Sequence, residues 1–322
     1  MTFVVKYVYN PSYLFVCVLM ENMESKEFPR ISVITPVYNR QKTIRLALLS
    51  AMQQEYPDVE FVVVNDGSQD DTQKVVESMK EYDPRIILVN NPKNLWISQS
   101  RNIGMQHATG DIFAVLDSDD VWIRPDKLTK QVKHLQENPN IGIIWTNAII
   151  KNKEKYSHTR EHLTDRNIRW NSIRATQFLH SSMMYPRKVY ETIGGYNPQI
   201  KYADDREFQL RAGKYFEFAN LPEYMVLYNA HHKNISHLHR KRQCLESMRL
   251  SLRYSWDYPN VVSWISYKLL GGAYKFASKS LDALIPWTSI HIKSTVKLML
   301  GKKDSPLELS EINKYLNREL IE

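Results

Sequence analysis

The sequence predicts an α/β domain with a mostly parallel sheet flanked by helices, followed by a helical C-terminal appendage. Two observations carry that reading. Continuous apolar runs of five or six residues recur through the first half of the chain. They are too short for helices and apolar on both sides, as a strand covered on both faces must be. Between them lie amphipathic stretches at helical spacing, and the alternation of strand and helix is the rhythm of a parallel sheet.

From Pro29 the elements follow in order. ISVIT, Ile31 to Thr35, is the first buried strand, and Ile44, Leu48, Leu49 and Met52 mark a helix from Lys42 to Gln54. VEFVVV, Val59 to Val64, is the second strand and ends in NDGS. Ser68, with Asp71 three residues on, has the spacing of a capping box and is expected to open the second helix. IILVN, Ile86 to Asn90, is the third strand, and Ser98 to Ala108 the next helix. IFAVL, Ile112 to Leu116, is the fourth and runs directly into Asp117. A helix from Pro125 to Gln136 and a strand IGIIWT, Ile141 to Thr146, complete this half. After Asn147 the rhythm fails. Residues 150–182 are polar, rich in His and Arg, and read as loops and short helices. Helices from Pro186 to Thr192 and from Asp204 to Ala212 flank GGYN, and from Arg240 the chain turns aromatic and Lys-rich. The expected organisation is an N-terminal extension (1–28), one domain (29–239) with halves 29–147 and 148–239, and a basic helical region (240–322).

A chain of 322 residues can bury a full core. Its formal charge of +8 points to an anionic partner. Two cysteines, Cys17 and Cys244, exclude a disulfide framework and a thiolate metal cluster, and a reducing, cytoplasmic setting is expected. The first twenty residues are apolar but broken by Lys6, Asn10 and Pro11, so they predict neither a spanning helix nor a cleaved leader. Met20 and Met23 offer alternative translation starts, and the segment is assigned no function.

In an open parallel sheet, ligands bind beyond the carboxyl ends of the strands. The unusual residues of this chain sit there: Thr35, Pro36 and Tyr38 after the first strand, Asp66 and Gly67 after the second, Asp117, Ser118, Asp119 and Asp120 after the fourth. Three carboxylates within four residues repel one another unless a cation sits among them. Mg²⁺ or Mn²⁺ takes such oxygens together with substrate phosphates. A solvated, helix-capping turn is the bland alternative, disfavoured by the position directly after a buried strand. Asp66 can accept from a base N–H or a ribose hydroxyl, with Gly67 allowing close backbone approach; a plain turn is an equal reading. Arg101 faces a base or diphosphate, or is a surface charge. Asp204 and Asp205 open a helix, where they suit its dipole or supply a general base. His231, His232, His237 and His239 match no zinc spacing, and His231 alone is a candidate nitrogen ligand.

Taken together, ITPVYN, VVVNDGSQDDT, SRNIGMQHATGDIFAVLDSDD, GGYN followed by YADD, and LYNAHH resemble the family 2 glycosyltransferases, in the family's order and spacing, over about residues 30 to 237. These are inverting enzymes of the GT-A fold, with a mostly parallel, Rossmann-like sheet. The resemblance implies that Pro36, Tyr38, Asp66 and Arg101 contact the nucleotide, in a donor site that also takes in Gly67 and Ser118. It implies that Asp117 and Asp119 form an Asp-x-Asp motif binding metal and donor diphosphate, with Asp120 close by, and that His231 reaches the metal or diphosphate. Asp205 matches the catalytic base, with Asp204 beside it. The activity implied is transfer, with Mn²⁺ or Mg²⁺, from a nucleoside-diphosphate sugar, UDP-linked by analogy, to a glycan or lipid-linked acceptor in cell-surface polysaccharide synthesis. Residues 29–147 would be the nucleotide-sugar half and 148–239 the acceptor half. A catalytically inactive, nucleotide-sugar-binding or protein-interaction member is the alternative, disfavoured by the presence of both Asp119 and Asp205. The chain departs from the pattern in Trp96, where relatives usually carry Gly, in Asn65, where Asp is common, and in Asn229, where Arg is frequent.

The stretch holding Lys268, Lys275, Lys279, Lys293 and Lys297 interleaves lysine with Trp, Tyr and Leu, and Asp282 is its only acid. It reads as helices on an anionic membrane surface through residues 261–303, on the cytoplasmic face. Packing on the domain and a homodimer contact are the alternatives. No apolar span there is long enough to cross a bilayer. The basic charge accompanies no nucleic-acid reading motif, so nucleic acid is not an expected partner.

Overall fold

The computed structural model describes residues 2–8, 15–21, 28–153, 155–159, 163–173, 176–231, 234 and 238–259. The membrane expectation for residues 261–303, and His232 and His237, lie outside the described residues. Near the N-terminus, β1 (Thr2–Val8) and β2 (Phe15–Glu21) pair antiparallel in a small sheet of their own.

The main body alternates as expected: β3 (Ile31–Val37), α1 (Ile44–Met52), β4 (Val59–Asn65), α2 (Thr72–Tyr82), β5 (Ile86–Asn90), α3 (Ile97–His107) and β6 (Ile112–Val115). There follow β7 (Val121–Trp122), α4 (Lys127–Glu137), β8 (Ile141–Asn152), β9 (Lys155–His158) and α5 (Asp165–Ser172). After a 3-10 turn at His180–Ser182 come β10 (Met184–Pro186), α6 (Arg187–Ile193), α7 (Asp204–Ala212), β11 (Glu217–Asn229) and α8 (Arg240–Arg253). The strand order is β5-β4-β3-β6-β10-β8-β11-β7, with β9 paired to β8. β5, β4, β3 and β6 are mutually parallel, as are β8 and β11. Three-residue β10 runs antiparallel between β6 and β8 and joins the two parallel groups.

Alternation along the central strands makes two cores. Ile31, Val33, Phe61 and Val63 face α1, α2 and α4, meeting Leu48, Val76 and Leu128. Ile34, Val62 and Val64 face the other way, in one cluster with Met105 of α3, Phe208 of α7 and Leu250 of α8. These strands are buried on both faces, which is why they read as unbroken apolar runs.

The structure differs from the sequence reading in three places. The second helix begins at Thr72 rather than at Ser68, and no side chain caps it from Asp71. Asp70 Oδ1 instead accepts the Thr72 N–H, while Ser68 Oγ accepts the Asn39 N–H. Residues 68–71 serve to lace the β4–α2 loop to the β3–α1 loop, where Gln69 N–H donates to Asn39 Oδ1 and Asp71 N–H to Gln41 Oε1. Secondly, β8 continues past Thr146 to Asn152 and folds back through Lys153, at φ +54°, into β9. Thirdly, β7, β10 and β11 were not expected. Two of them have two or three residues, too few for a period, and β11 contains Pro222 and three register shifts that break its pattern.

Candidate active site

The carboxyl ends of β3, β4 and β6 border one cavity of about 830 Å³. From β3 and the turn after it come Pro36, Tyr38 and Arg40; Asp66 follows β4; Asp117, Ser118 and Asp119 follow β6. Arg101 comes from α3, and the opposite wall brings His180, Asp204 and Asp205. The shared pocket that strand-end logic anticipates is therefore present, with Asp66, Asp119 and Asp205 all lining it. Gly67, Asp120 and His231 are not part of the lining.

Two turns hold the acidic run in shape. After Val115 the chain leaves the sheet, and Asp117 N–H donates to Ser181 Oγ at 3.1 Å. Ser181 Oγ in turn donates to Asp120 Oδ2, and Asn229 N–H donates to Asp120 Oδ1. Asp120, 1 % exposed, thus has both oxygens committed inside the protein. This corrects the expectation that it joins a metal cluster: it fixes the turn that presents Asp117 and Asp119. Asn229 Nδ2 also donates to the Asp119 carbonyl, tying the end of β11 to the same turn.

Arg101 lines the cavity but is not a surface charge. It is 3 % exposed and bridges two carboxylates, donating from Nη1 to Asp204 and from Nη2 to Asp117 Oδ1 at 2.7 Å. Its guanidinium carbon lies 5.3 Å from the centre of the Tyr196 ring. Burial alone would lower its pKa, but the charges of Asp204 and Asp117 outweigh burial and hold it above its ordinary value. Burial would likewise raise the Asp117 pKa, yet Arg101 and His180 pull it well below the usual carboxylate range.

Asp119 sits among unlike neighbours. Its Oδ2 lies 3.1 Å from His231 Nε2 and 3.4 Å from Arg40 Nε. Burial and then the Asp117 charge raise its pKa; Arg40 and His231 only partly oppose them. Asp205, in the first turn of α7, is half-buried, and its Oδ1 accepts the Arg206 N–H. Burial and the neighbouring Asp204 push its pKa up, against smaller opposing effects of His180 and Arg101. Asp204 and Asp205 both line the cavity, and of the pair Asp204 is the one bound to Arg101.

Asp66 lines the cavity and is also hydrogen-bonded within the protein. Its Oδ1 accepts from Asn91 Nδ2 and from Leu95 N–H, its Oδ2 from Trp96 N–H. The carboxylate shapes the loop before α3 and holds Trp96 at φ +74°. A left-handed backbone at this position explains why Gly would suit it. The indole packs edge-on against Tyr202 at the cavity rim, with Lys201 Nζ 4.8 Å from its ring centre. Gly67, at φ +72°, is needed because a Cβ there would come within 2.6 Å of the Lys93 carbonyl carbon, in the same loop.

Sequence reasoning missed Arg40, His180 and Ser181. Arg40 immediately follows the ITPVYN run, and a cation beside a strand-end motif was the available signal. His180 gives none beyond belonging to a His-rich stretch. Its Nε2 lies 2.9 Å from Tyr196 Oη, while Nδ1 is buried, lacks a hydrogen bond and lies 3.9 Å from Asp117 Oδ1.

For a divalent cation, Asp119 Oδ2 and His231 Nε2 converge on one spot, offering a hard oxygen and an imidazole nitrogen, a donor set suited to Mn²⁺. Among the described residues no three His, Cys, Asp or Glu side chains are grouped to hold a metal by themselves. The set fits a cation only if diphosphate and water complete its shell, which is how Mg²⁺ and Mn²⁺ are commonly held beside phosphates.

The chain is similar to known proteins over most of this region. An uncharacterised glycosyltransferase of Methanocaldococcus jannaschii is 27% identical over 307 residues, 88% of this chain and 96% of that one. A putative teichuronic acid biosynthesis glycosyltransferase of Bacillus subtilis is 37% identical over 109 residues, 34% of this chain and 43% of that one. Among solved structures, Staphylococcus aureus TarS (residues 1–349) in complex with UDP aligns with a TM-score of 0.59 at 19% identity, covering 74% of this chain and 71% of that chain. A mannosyltransferase of Pyrobaculum calidifontis, in complex with GDP-Man and Mn²⁺, aligns at 0.54 and 20% identity, covering 86% and 89%. These likenesses show a shared fold, the GT-A fold. The description of glycosyl transferase family 2 matches residues 32–194, and the chain accordingly belongs to that family and is a glycosyltransferase.

Proposed function

We propose that the protein transfers a sugar, with inversion and in a metal-dependent way, from a nucleoside-diphosphate sugar to a hydroxyl of a glycan or lipid-linked acceptor in polysaccharide synthesis. The observation that carries this reading is the single cavity lined by Asp117 and Asp119 on one wall and by Asp205 on the other, with buried Arg101 joining the walls through Asp117 and Asp204. A UDP donor is favoured by the UDP complex of TarS, and Mn²⁺ by the mannosyltransferase complex. The teichuronic acid relative favours a cell-surface product.

In this reading Pro36, Tyr38, Asp117 and Ser118 border the nucleotide, and Asp66 with Gly67 shapes the loop beside it. Asp119 and His231 would hold Mn²⁺ or Mg²⁺, which when bound would supply positive charge for the departing diphosphate. Arg40 adds a fixed positive charge beside Asp119, preorganised for the same purpose. Asp205 takes the proton of the acceptor hydroxyl as its oxygen attacks the anomeric carbon and the bond to the diphosphate breaks. Its raised pKa brings it closer to the range in which a carboxylate is an effective base. Asp204 fixes the start of α7 through Arg101 and does not take part in proton transfer.

Asp205→Asn tests the assignment. Transfer is expected to fall by roughly 10²–10⁴-fold, the usual contribution of a general base, while calorimetric affinity for UDP and for the UDP-sugar used in the assay stays unchanged. Loss of donor affinity, or unchanged transfer, would defeat it.

A further inference from the structure

Helix α8 gives the domain only a narrow face. Leu250 and Ser251 are its buried residues, Glu246 accepts the Tyr202 N–H, and Arg242 donates to Tyr202 Oη. On the outer side Leu245, Met248 and Leu252 follow at spacings of three and four. Leu238 precedes Leu245 by seven residues, and Trp256 follows Leu252 by four. All five are exposed, from 42% for Met248 to 90% for Trp256. One exposed apolar side chain is ordinary; three on one face of α8, flanked by Leu238 before the helix and by Trp256 in the 3-10 turn after it, are not.

The border of this stripe is cationic. Lys241, Arg249 and Arg253 stand along it and Arg240 lies on the far side, all exposed and none in an ion pair among the described residues. The acids nearby are occupied: Glu246 faces Tyr202, and Asp257 pairs with Lys214 at 3.2 Å. An apolar centre with long basic side chains at its edges is the chemistry of a helix lying in an anionic lipid interface. The stripe also starts at the cavity, because Leu238 and Gln243 line it.

We propose that this face of α8 seats the enzyme on an anionic lipid surface, with the apolar stripe among the headgroups and Lys241, Arg249 and Arg253 on lipid phosphates. The docked orientation holds the cavity beside the bilayer, so a lipid-linked acceptor reaches Asp205 without leaving the membrane. That consequence rests on the proposed acceptor side of the cavity; the docking itself does not.

The test is vesicle sedimentation of the full-length protein. Wild type is expected to bind phosphatidylcholine vesicles containing phosphatidylglycerol, to ignore phosphatidylcholine alone, and to be released by salt. L245E/M248E/L252E and, separately, K241E/R249E/R253E are each expected to lower the bound fraction about tenfold or more, with unchanged Tm and unchanged UDP affinity. Wild type that binds no vesicle, or variants that bind as well as wild type, overturn the proposal. So does a Tm drop in the leucine variant, or a lipid-free dimer that it dissociates, since either shows the stripe covered by protein. UDP affinity is read in the same samples. If UDP fails to bind, the transferase site is wrong, while vesicle binding still decides the docking.

Discussion

At the scale of single residues, the site depends on which carboxylates are neutralised by the protein and which are left for a ligand. Asp117 and Asp204 share Arg101, and Asp120 is satisfied by Ser181 and Asn229. Asp119, beside Arg40 and His231, and Asp205 line the cavity, and burial raises the pKa of both. For Asp205 the sign is direct. A base must be deprotonated, so its raised pKa places the acid limb of the rate profile above the ordinary aspartate value of about 3.9. The pH dependence of kcat is expected to show that limb, and Asp205→Glu to shift it. A limb at or below the ordinary value would speak against Asp205 as the base. On the proposed metal dependence, Mn²⁺ is expected to increase UDP affinity and Asp119→Ala to abolish that increase, since diphosphate and Asp119 would share the ion. Titration calorimetry with and without Mn²⁺ measures it, and an unchanged Mn²⁺ effect would count against the ligand assignment.

At the scale of elements, the loop before α3 holds an indole where glycine would be unstrained. Trp96 at φ +74° costs about 1–3 kcal/mol in backbone strain, offset by the bonds of Leu95 and Trp96 N–H to Asp66. Trp96→Gly is therefore expected to leave stability within about 1 kcal/mol of wild type, as the relieved strain compensates for the lost packing on Tyr202. The same variant is expected to raise KM for donor or acceptor, because the indole lines the cavity. Urea denaturation and initial-rate kinetics read the two effects separately. A large stability loss with unchanged KM would make Trp96 a packing residue only.

At the scale of the whole molecule, the end of the sheet away from the cavity is locked by a buried carboxylate. Glu60 accepts from Ser32 Oγ, from Thr109 N–H and Oγ1, and from Arg30 Nη2 at 3.1 Å. It thereby joins β3, β4 and the loop entering β6. Burial would raise its pKa, but these partners together hold it below the ordinary value. A carboxylate with a depressed folded-state pKa contributes stability that is present above its unfolded value of about 4.3 and is lost as pH falls through the folded one. Glu60→Gln is expected to lower stability at neutral pH by about 1–3 kcal/mol, as donors lose their charged acceptor. It is also expected to flatten the decline in acid. Urea midpoints at neutral and acidic pH measure both, and an unchanged slope would remove Glu60 from the acid response.

The sequence by itself determined the parallel half of the sheet and, at its carboxyl edge, charged residues of the cavity lining, among them Asp66, Arg101, Asp117, Asp119, Asp204 and Asp205. Its central strands are buried on both faces, so their apolar runs need no partner to be recognised. The bounds of β5 and α7 were read directly, and the strand-end residues Pro36, Asp66 and Asp119 fell where parallel sheets bind ligands. What only the tertiary structure decided is how the acidic residues divide their work. Arg101 lies sixteen residues from Asp117 and 103 from Asp204, and Ser181 reaches Asp120 across 61. No local pattern encodes such pairings, and those of Arg101 with Asp204 and of Ser181 with Asp120 arise only when the second half closes against the first. For the same reason the sequence does not show that Asp120 lies outside the cavity, with both oxygens bonded to Ser181 and Asn229. Whether a buried carboxylate is a ligand or a strut depends on which donors the remote chain brings to it.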